Sequence, residues 1–163
     1  MVDIVHTNVA TEQRTSKKIV AGKGDAFNVK SLVAAIELTA ASVSDTIKFG
    51  EIPSNARIHG ASRVYFDDLA ASGAPTLDMG LGSVDSNVTS DDDALSDGHD
   101  LATANPNGLL LLGDIDRISK PAFELVSGQT TDPGGALEVF GTIKDAVTDT
   151  TGTVVLELFY TLD

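Results

Sequence analysis

The pattern of apolar and polar positions changes once along the chain, near residue 30. Through residue 25 no apolar period survives. Thr7, Asn8, Thr11, Thr15 and Ser16 interrupt it, and Gly22-Lys23-Gly24-Asp25 closes the stretch. This reads as an extended N-terminal arm, mobile alone and able to order against a neighbour. From residue 26 to 163, short apolar runs alternate with clusters of Gly, Pro, Asp and Ser. That texture predicts one all-β domain.

Phe27 to Thr39 carries Val29, Leu32, Val33, Ile36 and Leu38; Ala34-Ala35 blurs the alternation, and strand is favoured over helix. Thr46 to Ile52 alternates and stops at Pro53. Arg57 to Leu69 reads as one strand with a bulge at Gly60. In Thr76 to Gly82, Leu77, Met79 and Leu81 share a face. Residues 83–107 break the rhythm. Asp91-Asp92-Asp93-Ala94-Leu95 reads as a helix start, because aspartates cap free N–H groups and meet the positive end of the dipole. One short helical or loop excursion is therefore expected here. Leu109 to Leu112 is a short apolar run. Ala122 to Val126, Ala136 to Ile143 and Val154 to Leu162 read as strands separated by turns. Seven or eight strands at this spacing predict an antiparallel β-sandwich or barrel.

Composition sharpens this. Hydrophobic residues make up 42% and aromatics 5%, so the core must rest on aliphatic side chains with six Phe as larger fillers. The chain has no Cys, which excludes disulfides, thiolate metal sites and thiol nucleophiles. No apolar run approaches the roughly 20 residues of a membrane-spanning helix. The start, Met1-Val2-Asp3-Ile4, lacks the basic and apolar regions of a signal peptide, so synthesis in a cytosol is expected. Charge is uneven. Residues 1–30 hold five basic and three acidic side chains, and the remainder holds six basic and 21 acidic. A body this acidic repels nucleic acid and anionic membrane. Its plain role is solubility; its sharper one is a positive arm seeking a negative partner surface.

Candidate chemistry is thin. Asp91, Asp93 and Asp97 could offer oxygens to Ca²⁺, but Leu95 stands where a donor is needed and no closing Glu follows. Capping and solvation account for these residues better, so no metal or other cofactor is expected. Asp114-Ile115-Asp116-Arg117 places two carboxylates on one side of an extended segment, as a general acid/base pair would, but a turn with a local Arg pair would look the same. His6, His59 and His99 share no zinc-ligand spacing. Neither Gly22-Lys23-Gly24 nor Gly80-Leu81-Gly82 has phosphate-loop spacing. Arg57, Arg63, Arg117 and Lys120 are expected to pair with nearby carboxylates, or else to anchor a subunit interface. No catalytic set emerges, and the chain is not expected to be an enzyme.

The order of elements resembles small virion structural proteins of tailed bacteriophages. The informative stretch runs from Leu38 to Leu81, through Ser44-Asp45-Thr46-Ile47-Lys48-Phe49, Glu51-Ile52-Pro53-Ser54-Asn55-Ala56-Arg57-Ile58 and Ala74-Pro75-Thr76-Leu77-Asp78-Met79-Gly80-Leu81. It continues through the Asp-rich segment and the final strands. Among such proteins the nearest role is the capsid decoration, or cement, protein. The resemblance implies a jelly-roll-like sandwich on the outer surface of the virion capsid, made in the host cytoplasm. It implies homotrimers that bind the major capsid protein and hold adjacent capsomers together, with no direct nucleic-acid or membrane partner. Arg14, Lys17, Lys18 and Lys23 are the expected shell contacts. Leu109, Leu110, Leu111 and Leu112 are candidates for a subunit interface, although core burial accounts for them better. The competing roles are a tail, connector or head-fibre component, and a carbohydrate-binding β-sandwich. The absence of Trp and the presence of only Tyr65 and Tyr160 speak against the last.

Overall fold

The computed structural model describes residues 29–39, 41–69, 74–84, 88–118, 120–145 and 151–162. The arm, with Arg14, Lys17, Lys18 and Lys23, lies outside the described residues. The strands are β1 (Lys30–Thr39), β2 (Thr46–Pro53), β3 (Arg57–Ile58), β4 (Arg63–Phe66), β5 (Thr76–Ser83), β6 (Asp91–Asp100), β7 (Asn105–Leu110), β8 (Ala136–Lys144) and β9 (Thr151–Thr161). Two helical turns, α1 (Ile115–Ile118) and α2 (Ala122–Leu125), lie between β7 and β8.

The pairings are nested. β1 pairs with β9, β2 with β8, β4 with β7 and β5 with β6, all antiparallel. This is one long hairpin folded back on itself. Two further antiparallel pairings, β4 with β9 and β5 with β8, fold it into sheets. The first sheet has the order β1-β9-β4-β7, with β3 adding to β9. The second has the order β2-β8-β5-β6. A five-stranded and a four-stranded sheet whose eight long strands are paired this way make a jelly roll. The predicted all-β antiparallel sandwich is therefore the observed fold.

Alternation decides which side chains fill the space between the sheets. On β9, Val154, Leu156 and Leu158 are buried while the residues between them are only half-buried. From the opposite sheet come Ile47, Phe49, Ile52, Leu77, Met79, Leu81, Leu137, Val139 and Ile143. β2 keeps both Phe49 and Ile52 inward because its register shifts between Lys48 and Gly50. Gly50 sits there at φ 142°, and a Cβ would lie 2.9 Å from Leu32 Cδ1. The positive φ favours glycine there, and a Cβ would also push the end of the Leu32 side chain aside.

Four expectations are corrected. Asp91–Leu95 starts no helix; it opens β6. A ladder partner decides this, since Asp91 stands opposite Leu81 and Ser96 opposite Met79. Gly80 alone faces the four residues Asp92–Leu95, so the strand swings out there while Ala94 and Leu95 remain buried. Ala122–Val126 adds no strand. The N–H groups of Ala122 and Phe123 donate to the carbonyls of Ala56 (2.7 Å) and Ser54 (3.0 Å), and that docking curls the segment into α2. The helical turns thus fall in the β7–β8 connection. Asp114–Arg117 is not extended but leads into α1, with the Asp116 N–H donating to Asp114 Oδ1 at 3.0 Å. Arg57–Leu69 is two strands, not one. Between them the Ser62 N–H donates to the His59 carbonyl (3.0 Å), which makes a turn at Gly60 rather than a bulge.

Phe159 of β9 pairs with Ser31 of β1 on one side; on the other it falls between the pairings of β3 and β4, where the His59 N–H (2.8 Å to the Phe159 carbonyl) and Ser62 meet it. The buried Ser62 Oγ accepts the Phe159 N–H at 2.9 Å and donates to the Phe159 carbonyl at 3.2 Å. Main-chain groups at such a break must be satisfied somewhere, and here a side chain and the His59 N–H do it together.

Leu156 is fully buried at the middle of β9, whereas Val33 on the edge strand β1 is 62% exposed. Leu156→Ala is expected to destabilise the fold by about 2–5 kcal/mol. Val33→Ala should stay within about 0.5 kcal/mol of the parent. Chemical denaturation of the two variants measures the difference.

Candidate functional site

The outer face of the second sheet carries the densest polar arrangement among the described residues. Inward-facing Leu77, Met79 and Leu81 leave Asp78, Gly80 and Gly82 to the outside of β5. Across the ladder they meet Thr142, Phe140 and Glu138 of β8. β2 adds Thr46 opposite Thr142 and Lys48 opposite Phe140.

Two glycines shape this face. A Cβ on Gly80 would lie 2.4 Å from the Asp91 carbonyl oxygen and 2.8 Å from Phe140 Cζ. A Cβ on Gly82 would lie 2.8 Å from Ser90 Oγ and 3.2 Å from Phe140 Cε1. Glycine in a strand often marks such close approach. Here the backbone of β6 crosses over Gly80 and the Phe140 ring lies beside both glycines. Residues 77–82 of β5 are consequently buried on both faces. A cavity of about 250 Å³ remains, lined by Thr46, Lys48, Ser90, Asp92, Glu138 and Phe140.

Charges on this face are paired. Lys48 Nζ is 2.9 Å from Glu138 Oε1. Lys144 Nζ lies 2.8 Å from Asp92 Oδ2 and 3.7 Å from Asp78 Oδ2. The hydrogen bond to Asp92 raises the Lys144 pKa. Asp78 is a buried carboxylate whose Oδ1 accepts the N–H of Gly98 at 2.9 Å. Gly98 has φ 70°, so the carboxylate fastens the irregular part of β6. Thr142 is also buried, and its Oγ1 has no hydrogen-bond partner. His99 is half-buried next to this group, with Nε2 2.7 Å from Ser96 Oγ. Burial lowers its pKa, against the pull of Asp78 and Asp97.

The metal candidates do not assemble. Asp91 Oδ2 accepts the Ser127 N–H at 2.6 Å, and its carboxyl is hydrogen-bonded to that of Asp93. That hydrogen bond raises the Asp93 pKa. For Asp91, burial pushes upward, but the hydrogen bonds from Asp93 and Ser127 outweigh it and hold the carboxyl below its usual range. Asp97 enters no such set: among the described residues no three His, Cys, Asp or Glu side chains converge on a metal position. Arg117 donates to the carbonyls of Asp93 and Ala94, and Arg63 to that of Gly108 at 2.8 Å, so both arginines bind main chain. The apolar run is divided. Leu111 and Leu112 are buried in the core, Leu109 packs against it, and Leu110 is 43% exposed. No sequence motif announced the outer-face group; the alternate glycines at 80 and 82 were its one visible signal.

No protein-family model matches the chain, and no curated protein matches it significantly. It does resemble a solved structure described as "Cyanophage Pam1 capsid asymmetric unit". The TM-score is 0.50 at 18% identity, and the match covers 97% of this chain and 100% of that one. The likeness is one of fold.

Asp78→Ala removes the acceptor of the Gly98 N–H and is expected to destabilise the fold by about 1–3 kcal/mol. Asp78→Asn keeps an acceptor and should lose less, by chemical denaturation. The depressed His99 pKa gives a second expectation. The unfolded imidazole takes up its proton near its ordinary value of about 6.5, whereas the folded one resists until lower pH. The contribution of His99 to stability is therefore intact above that value. It declines as pH falls towards the folded pKa and is constant below it. Unfolding free energies of the parent and His99→Gln, measured from pH 8 to 5, should show this component only in the parent.

Proposed function

We propose that the protein is a virion structural protein that decorates the outside of a tailed-phage capsid and stabilises contacts between capsomers. The observation that carries this reading is the likeness of fold to a solved structure described as "Cyanophage Pam1 capsid asymmetric unit". Charge gives physical support. A body with 21 acidic and six basic residues after residue 30 is repelled by packaged nucleic acid and suited to an outward, solvated face.

The working mode is mechanical, not catalytic. The arm, with Arg14, Lys17, Lys18 and Lys23, binds the negative surface of the major capsid protein. A homotrimer presents three arms, and engagement of several capsomers multiplies weak contacts into firm attachment.

Co-sedimentation with phage heads lacking this protein tests the reading. Saturable binding in proportion to the number of capsomers is expected. A version truncated before Asp25 should bind at least about tenfold more weakly, corresponding to ~1.4 kcal/mol. Binding at only a few copies per head would move the protein to the portal or tail, and absence of binding would remove the capsid reading.

A further inference from the structure

A net charge of −13 makes copies of this chain repel one another over most of their surface. The charge is not shared evenly between the sheets. The strands of the second sheet hold eight acidic and two basic residues, five of the acids in β6. Those of the first sheet hold two acidic residues, Glu37 and Glu157, and three basic ones, Lys30, Arg57 and Arg63. Two copies can therefore approach most closely through the first sheet.

The outer face of that sheet is suited to being covered. Alternation sends Val154, Leu156 and Leu158 inward and leaves Val155, Glu157 and Phe159 outside. Val155 stands opposite Tyr65, and both are half-buried. At the two edges of the face Val33 is 62% exposed and Leu110 43%. The polar groups already hold one another. The Tyr65 hydroxyl donates to Glu157 Oε2 at 2.9 Å, Thr153 Oγ1 to Glu37 Oε2 at 2.7 Å, and Arg63 to the Gly108 carbonyl at 2.8 Å. Covering such a face leaves few polar groups unsatisfied.

One row of cross-strand neighbours selects the partner. Val33 stands opposite Glu157, Glu157 opposite Arg63, and Arg63 opposite Leu110. Across the sheet the row reads apolar, acidic, basic, apolar. A two-fold axis lying between two such faces, parallel to the strands, reverses the row in the second copy. Val33 then meets Leu110 of the partner subunit, and Glu157 meets Arg63 of the partner subunit. Both charged groups have capacity to spare, since a guanidinium carries five N–H donors and a carboxylate two oxygens. The row is complementary to itself in charge and in apolar character.

We propose that in solution two copies of this chain pair face to face through the outer face of the first sheet, about a two-fold axis that sets this row against itself. The pairing does not rest on the capsid reading, whose homotrimer forms on the shell.

Sedimentation equilibrium of the full chain over a concentration series tests it. A reversible dimer, with twice the chain mass, is expected. Val33→Asp sets a charge against Leu110 of the partner subunit, and Leu110→Lys sets one against Val33 of the partner subunit. Each should weaken pairing about tenfold or more. Both positions are exposed, so circular dichroism and melting should stay those of the parent. The double variant places opposite charges across the axis and should recover about fivefold or more of the lost affinity. Within one copy the two positions are three strand spacings apart, roughly 14 Å, so the recovery must come from the second copy. A monomer at every concentration, which leaves the face to residues 1–28 or to a shell protein, overturns the proposal. So does a trimer, a dimer that neither substitution weakens, or one that the double variant fails to recover. Head binding is measured separately, so failure here leaves the capsid reading standing, and loss of head binding leaves the pairing standing.

Discussion

The nested antiparallel pairing of the chain with itself is the constraint on which everything else depends. β1 holds β9 through an unbroken register from Lys30–Tyr160 to Thr39–Thr151. Inside that clasp, β2 holds β8, β4 holds β7 and β5 holds β6. All of these pairs but β5 with β6 bring distant parts of the chain together before any sheet can be completed, so loop-closure entropy is lost early and recovered late. What recovers it is the aliphatic filling between the sheets, from Ile47 and Leu77 on one side to Leu156 and Leu158 on the other. Once the sheets are fixed, their outward positions are fixed as well. Asp78, Phe140, Thr142 and Lys48 have their places on the outer face by register alone.

Much of this was legible in the sequence because alternation carries it. Val154, Leu156 and Leu158 announce β9, Leu77, Met79 and Leu81 announce β5, and Ile47 and Phe49 announce β2. The failures have physical causes. Asp91-Asp92-Asp93 has the composition of a helix N-terminus, and only its partner on β5 makes it a strand; no local signal contains that partner. Ala122–Val126 has a strand's composition, but the carbonyls of Ser54 and Ala56, far away in sequence, capture its N–H groups. Arg63 and Arg117 were expected to seek carboxylates in so acidic a chain. Main-chain carbonyls lay nearer, and such contacts tie connections to strands without demanding a second charge.

The outer-face site was almost invisible beforehand. In the sequence Gly80 and Gly82 lack the spacing of a phosphate loop and carry no further signal, whereas each accommodates a specific close approach, by the β6 backbone and by Ser90 with Phe140. The irregular crossing of β6 over Gly80 is therefore a built feature, held by Asp78 through the Gly98 N–H and by Arg117 through the Asp93 and Ala94 carbonyls. Bulged segments of this type re-aim side chains, and here they bring Asp92 to Lys144 and Ser90 to the cavity. In a chain of net charge −13, both lysines of this face are held by carboxylates, Lys48 by Glu138 and Lys144 by Asp92 and Asp78 together.

The most direct test of the capsid account is a cryo-electron microscopy reconstruction of heads with the purified protein added back, compared with heads that lack it. The account predicts added density on the outer shell, shaped like this two-sheet sandwich and repeated where capsomers meet. Density confined to the portal vertex or tail, or inside the shell, would contradict it.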